Sequence, residues 1–200
     1  MLAYYKRCFV IRFGLALAGC LSVHTSVGYA GPFGFEFGAG ADALRGCSEG
    51  NGGMWNCPTA PDPHPEFEFY IVQYTNETGI CFIKGVGNDI RDNRFGSSSK
   101  IRLDEIRDQI SLKYGEATKT DFLVPGALWS EPDEWLMSLR QKERFFAYEW
   151  PLDTPIDGVT EVYASVSALN SSTGYVVVEF YSEKNDRCDE IISNDEGSSF

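Results

Sequence analysis

The chain has 200 residues, and 29 acidic against 17 basic side chains leave it a formal charge of −12 at pH 7. The first 30 residues hold three of the bases and no acid, so residues 31–200 carry 14 bases against 29 acids, a formal −15. That surface repels phosphate backbones and anionic headgroups, which excludes nucleic acid as a partner and favours a cationic protein, a cationic peptide or a divalent cation.

Residues 1–30 read as a secretory signal. Lys6, Arg7 and Arg12 form a positive end, an apolar run from Phe13 to Val23 follows, and the polar exit leads to Gly28-Tyr29-Ala30. Small residues at −3 and −1 suit a cut before Gly31. The run of eleven residues is too short to cross a hydrocarbon core, which needs about 20. A second processing site competes: Leu17-Ala18-Gly19-Cys20 resembles the lipobox of bacterial lipoproteins. Lipidation of Cys20 would hold the protein at a membrane; otherwise it has no membrane contact.

Residues 31–65 are glycine-rich and then proline-rich and read as an N-terminal loop region, with one helical turn at 41–45 stopped by Gly46. An α+β domain is expected over 66–190. Alternation predicts a strand over 66–75, with Phe67, Phe69 and Ile71 on one face and Glu68, Tyr70 and Val72 on the other. Thr75-Asn76-Glu77-Thr78-Gly79 turns the chain into a second strand over 80–86. Leu103, Ile106, Ile110 and Tyr114 share one stripe, which predicts a helix over 103–114 ended by Gly115. A second helix is expected to start at Ser130, with Asp133 completing a capping box and Trp135, Leu136 and Leu139 buried. Strands over 143–150, 159–169 and 175–182 then form an antiparallel meander. The acidic tail, 191–200, is expected to be disordered. The order ββααβββ predicts antiparallel sheet units with two helices packed on one face.

Four cysteines follow the signal: Cys47, Cys57, Cys81 and Cys188. An even number in an exported chain reads as two disulfides, and sequence leaves three pairings open. The favoured pairs are Cys47–Cys57, closing a short loop, and Cys81–Cys188, tying an early strand to the tail. A zinc site is the rival use, but no C-x-x-C spacing occurs and His64 is the one histidine after residue 30.

Pro32-Phe33-Gly34-Phe35-Glu36-Phe37-Gly38 directly after a signal resembles the opening of a group of exported bacterial proteins of unknown function. Lys113-Tyr114-Gly115 and the tail cysteine Cys188 fit the same resemblance. It implies the bacterial periplasm or cell envelope, and no catalytic residue.

Motifs for chemistry are sparse. Gly38-Ala39-Gly40-Ala41-Asp42-Ala43 matches the dinucleotide fingerprint in letters, but Gly46 denies it the long helix that pyrophosphate binding needs. His64 lies between two prolines in a loop, and no nucleophile elbow occurs. Glu131 and Glu134 suit the positive end of a helix better than a glycosidase pair. Asn88, Asp89, Asp92 and Asn93 offer loop oxygens of the kind calcium takes, in a spacing unlike the EF-hand; no other cofactor is indicated. Trp55, with Met54 beside it, sits next to the Cys47–Cys57 pair, where a ring held on a closed loop loses little entropy on binding. No catalytic residue stands out. The expected function is a non-enzymatic module that binds a protein or peptide, an inhibitor or scaffold for a cationic partner. The alternatives are a hydrolase using carboxylates or a bound cation, and a lipid-anchored sensor or structural lipoprotein.

Overall fold

The computed structural model describes residues 31–197; the expected signal segment, the lipobox and Cys20 lie outside the described residues. Two 3-10 turns, Pro32–Gly34 and Ala41–Leu44, open the described chain. Strands β1 (Ser48–Glu49) and β2 (Met54–Cys57) follow, then the hairpin β3 (Phe67–Thr75) and β4 (Gly79–Gly87), and the short β5 (Ile90–Arg91). Helix α1 (Ser97–Tyr114), strand β6 (Thr118–Leu123) and helix α2 (Trp135–Arg140) come next. The meander β7 (Arg144–Ile156), β8 (Val159–Asn170) and β9 (Thr173–Ser182) leads into α3 (Asn185–Gly197).

Because β4 pairs with β9, hairpin and meander join in one nine-stranded antiparallel sheet, ordered β1-β2-β3-β4-β9-β8-β7-β6, with β5 set against β9. Helices and antiparallel strands are therefore mixed as expected, but the order ββααβββ is not what forms. Strand β6 separates the two expected helices, three short strands are added, and a third helix follows β9. Strand β6 escapes detection because Thr118-Lys119-Thr120-Asp121 lies on an edge and has no buried face to impose alternation. The tail expected to be disordered from residue 191 instead continues α3 to Gly197.

One face of the sheet holds the main core. Phe146, Tyr148 and Trp150 of β7, Val162, Ala164 and Val166 of β8, and Val176, Val178 and Phe180 of β9 line it in register. Leu103 and Ile106 of α1 and Trp135, Leu136 and Leu139 of α2 pack against this half. The Tyr148 hydroxyl donates to Asp104 at 2.6 Å, and the Trp150 indole N–H donates to the Gly115 carbonyl at 3.0 Å, where α1 ends. Among the described residues no helix covers the β3–β4 half of this face. The N-terminal segment does so: Phe33 stacks edge-on against Phe67 and Phe180, and Phe35 and Leu44 are buried. Residues 31–65 are thus a packed part of the same core and no free loop.

Two local details differ from the alternation read in sequence. Tyr70 and Val72 take the core side of β3, and a bulge between Phe67 and Phe69 turns Phe67 onto that side as well. Helix α2 starts later than Ser130: a 3-10 turn, Pro132–Glu134, precedes it and carries the reciprocal cap made by Glu131 and Glu134. Gly96 explains where α1 begins. Its φ is +70°, and a Cβ there would sit 1.9 Å from the Trp135 ring.

Gly96→Ala is expected to destabilise by roughly 2 kcal/mol or more, from a left-handed backbone and overpacking combined, read as a shift in the urea midpoint. Replacing both Cys81 and Cys188 by serine should cost about 4 kcal/mol, the loop-closure entropy of a cross-link spanning on the order of 100 residues, measured by the same titration.

Candidate functional site

Both expected disulfides form: Cys47–Cys57 with Cα atoms 4.2 Å apart and Cys81–Cys188 at 6.4 Å. The second one decides where α3 lies. Successive strand residues point to opposite faces, so Gln73, next to core-facing Val72, points to the far side of the sheet. There its amide donates to Asp189 of α3 at 2.9 Å. A fork from Arg187 to Glu77, at 2.9 and 3.2 Å, fixes the helix to the hairpin turn. Ile192 closes on the turn before β2, where a Cβ on Gly53 would meet it at 2.9 Å. Helix α3 is thereby clamped over the β3–β4 end of the far face.

Three concavities follow one another along this helix. A hollow of about 560 Å³ between β8, β9 and the start of α3 is lined by Glu161, Tyr181, Glu183 and Asp186. A second, of about 440 Å³, runs over Asp186, Asp189 and Glu190. A crevice of about 690 Å³ lies between α3 and β2, walled by Glu49, Trp55, Tyr74, Glu77, Ile191 and Ile192. The first hollow continues onto the outer face of the meander, where Glu149, Tyr163, Glu179 and Lys84 stand opposite one another on successive strands.

Negative charge is undercompensated here. Lys84 pairs with Glu179 at 2.8 Å, and the Tyr181 hydroxyl donates to the same carboxylate at 3.1 Å. Glu149 and Glu161 have no ion-pair partner among the described residues. Burial, and then the charge of Glu149, push the Glu161 carboxyl above its ordinary value. Burial followed by Glu149 and Glu179 does the same to the Tyr163 phenol, and burial followed by Glu179 to Tyr181. The part of these shifts that comes from Glu149 and Glu179 reflects negative charge that an added cation would offset.

Trp55 lies on β2 opposite Val72 and packs on the core, while its indole N–H is buried with no hydrogen-bond partner among the described residues. Met54 begins the same strand opposite Gln73, and its carbonyl accepts the Gly50 N–H at 2.7 Å. Trp55 thus lines the crevice and Met54 does not, and the ring is held by core packing as well as by the nearby disulfide.

Of the four loop residues considered for calcium, Asp92 and Asn93 cap helix α1. Asp92 accepts the backbone N–H groups of Asn93, Ser98 and Ser99 at 2.7, 3.0 and 2.7 Å. Asn93 accepts those of Phe95 and Ser97, and the Asn88 amide donates to the Pro65 carbonyl. Asp89 stays exposed. Among the described residues no group of three or more His, Cys, Asp or Glu side chains is arranged to hold a metal ion. His64 bridges its loop to α1, with Nδ1 accepting the Glu66 N–H and Nε2 lying 3.2 Å from Gln109 Oε1. Gly38 and Ala39 exchange backbone bonds with Ile80, so the glycine-rich stretch joins the sheet rather than a nucleotide helix.

Glu149, Glu161, Tyr163, Tyr181, Glu183 and Asp186 were not singled out in sequence. Period-two alternation over 159–169 does mark Glu161 and Tyr163 as outward, but only strand register brings them beside Glu149 and Glu179. Protein-family models, curated proteins and solved structures were compared with the chain, and none matches it. Among the described residues no helix is long and apolar enough to cross a membrane.

Burial raises the Asp92 carboxyl, but the N–H groups of Ser99, Ser98 and Asn93 outweigh it and hold the pKa below the ordinary value. The stability it contributes is present above the ordinary carboxylate range and is lost as pH falls through the lowered value. Asp92→Ala should cost about 1 kcal/mol at neutral pH, as for other lost helix caps, and should flatten the acid limb of the stability curve measured by urea denaturation.

Proposed function

We propose that this chain is an exported, disulfide-braced binding module whose acidic channel along α3 takes a cationic segment of another protein or a cationic peptide. The observation that carries the reading is the pair Glu149 and Glu161, half-buried and exposed respectively and without ion-pair partners among the described residues, beside Tyr163 and Tyr181. From there the acidic lining continues over Asp186, Asp189 and Glu190. An extended strand-like segment could place successive Lys or Arg side chains against these carboxylates. Tyrosine rings beside the acids favour the same cations through their π faces. The crevice at Trp55 would take the end of the segment.

Two disulfides fit an oxidising compartment, and export to the bacterial envelope is the matching localisation. Rigid walls also suit a binder, since a site held by cross-links loses little entropy when it is filled.

Decalysine serves as the probe. Neutralising three channel carboxylates, with Glu161→Gln, Asp186→Asn and Glu190→Gln together, should weaken binding about tenfold by isothermal titration. Neutralising Glu68, Glu116 and Asp153, which are exposed elsewhere, changes net charge equally and should weaken it far less. Equal losses in the two triple variants would overturn the channel. Affinity should also fall as pH drops, because protonation removes the attracting charge. The fall should begin above the usual carboxylate range in the native protein and later in Glu161→Gln.

A further inference from the structure

The two ends of the sheet are not alike. At one end β1 is two residues long and offers little to pair with. At the other, β6 runs six residues and bonds only to β7, so its outer row of N–H and C=O groups has no strand partner among the described residues. Natural edge strands are usually blunted by outward charges, proline or bulges. Strand β6 has no proline and pairs with β7 without a register shift. Its two charges stay exposed on one face, each engaging a neighbour. Lys119 Nζ folds over the rings of Phe146 and Tyr148, at 4.6 and 5.4 Å, and Asp121 is held by Arg144 at 2.7 Å. The edge therefore presents backbone, threonine, one charge of each sign and an apolar pair. Phe122 and Phe145 stand opposite each other and are 48% and 44% exposed, among the most exposed large apolar side chains described.

We infer that β6 is a pairing edge for the β6 of a second copy of this chain, joining two sheets into one about a two-fold axis. Self-complementarity of register carries the choice of occupant. A two-fold axis normal to the sheet makes one residue face its own copy, and the residues on either side face each other reciprocally. Centred on Lys119 the pairing sets ammonium against ammonium, and centred on Asp121 it sets carboxylate against carboxylate; directly opposed like charges are destabilising. Centred on Phe122 it runs into Pro125, which cannot donate to a ladder. Centred on Thr120 it places Thr120 against Thr120, Lys119 against Asp121 in both directions, and Thr118 against Phe122. This register alone pairs the strand over most of its length with opposite charges apposed. It also brings each Phe122 over the partner's threonines, removing exposed apolar surface.

The high negative charge of the chain opposes association at long range, so dimer formation strengthens with added salt as repulsion is screened. Cation binding along α3 has the opposite salt dependence, which keeps the failure of either reading distinguishable from failure of the other. The test joins a cross-linking rate to a mass. In the Thr120 register the two Thr120 Cα atoms lie at a cross-strand distance of roughly 4.5–5.5 Å, within disulfide range. Thr120→Cys is therefore expected to form a covalent dimer under mild oxidation about tenfold faster than Thr118→Cys, whose thiol faces Phe122 of the other copy. Wild-type protein should show a dimer by sedimentation at high concentration and 0.5 M salt, and Thr120→Asp should abolish it with the fold retained by circular dichroism. Equal cross-linking rates, or wild-type protein that stays monomeric under those conditions, overturn the inference. So does protection of the Thr120→Cys thiol from alkylation by decalysine, which would assign the edge to a strand of the cationic partner.

Discussion

The Cys81–Cys188 disulfide is the constraint on which the rest of the site depends. Helix α3 is acidic and contributes few side chains to the main core, so hydrophobic burial alone would hold it weakly to the sheet. The cross-link brings it back across 107 positions to β4, the second strand of the β3–β4 hairpin. Once Cys188 is fixed, Asp189 reaches Gln73, Arg187 reaches Glu77 and Ile192 reaches the β2 turn. These contacts are modest individually, and the bond makes them simultaneous.

A helix held this way creates concave surface that a sheet face does not have. Placed against β8 and β9 it forms the first hollow, and placed against β2 it forms the crevice at Trp55. The same placement concentrates acids, since Asp186, Asp189 and Glu190 of the helix meet Glu161 and Glu149 of the sheet. Desolvation and mutual repulsion then raise the Glu161 carboxyl. A fold that leaves such a charge unpaired carries a cost in the free protein, and a cationic ligand relieves it. The Cys47–Cys57 bond does the corresponding job on the opposite wall, where it fastens β2.

Much of the architecture was legible in sequence because burial imposes a period. Strands β3, β7 and β8 each alternate, and the stripe of Leu103, Ile106, Ile110 and Tyr114 marks α1. The cysteines were legible through their even number after an expected export signal. Elements without a buried face were not. Strand β6 is polar along its edge, and α3 looked like a charged tail because its anchor is a covalent bond rather than an apolar stripe. Helix α1 starts six residues earlier than its stripe implies, since Asp92 and Asn93 satisfy its first N–H groups from a loop that looked like a set of cation ligands. The acidic row was hidden for a different reason. Its members come from β7, β8, β9 and α3, and only register and the disulfide bring them together.

The most direct measurement compares decalysine affinity of the native protein with that of the Cys81→Ser/Cys188→Ser variant, under conditions where near-ultraviolet dichroism shows the sheet still packed. Release of α3 should reduce affinity by about tenfold and free the helix amides to rapid hydrogen exchange. Unchanged affinity with α3 in rapid exchange would contradict the account, since the charges would then suffice without the helix that gathers them.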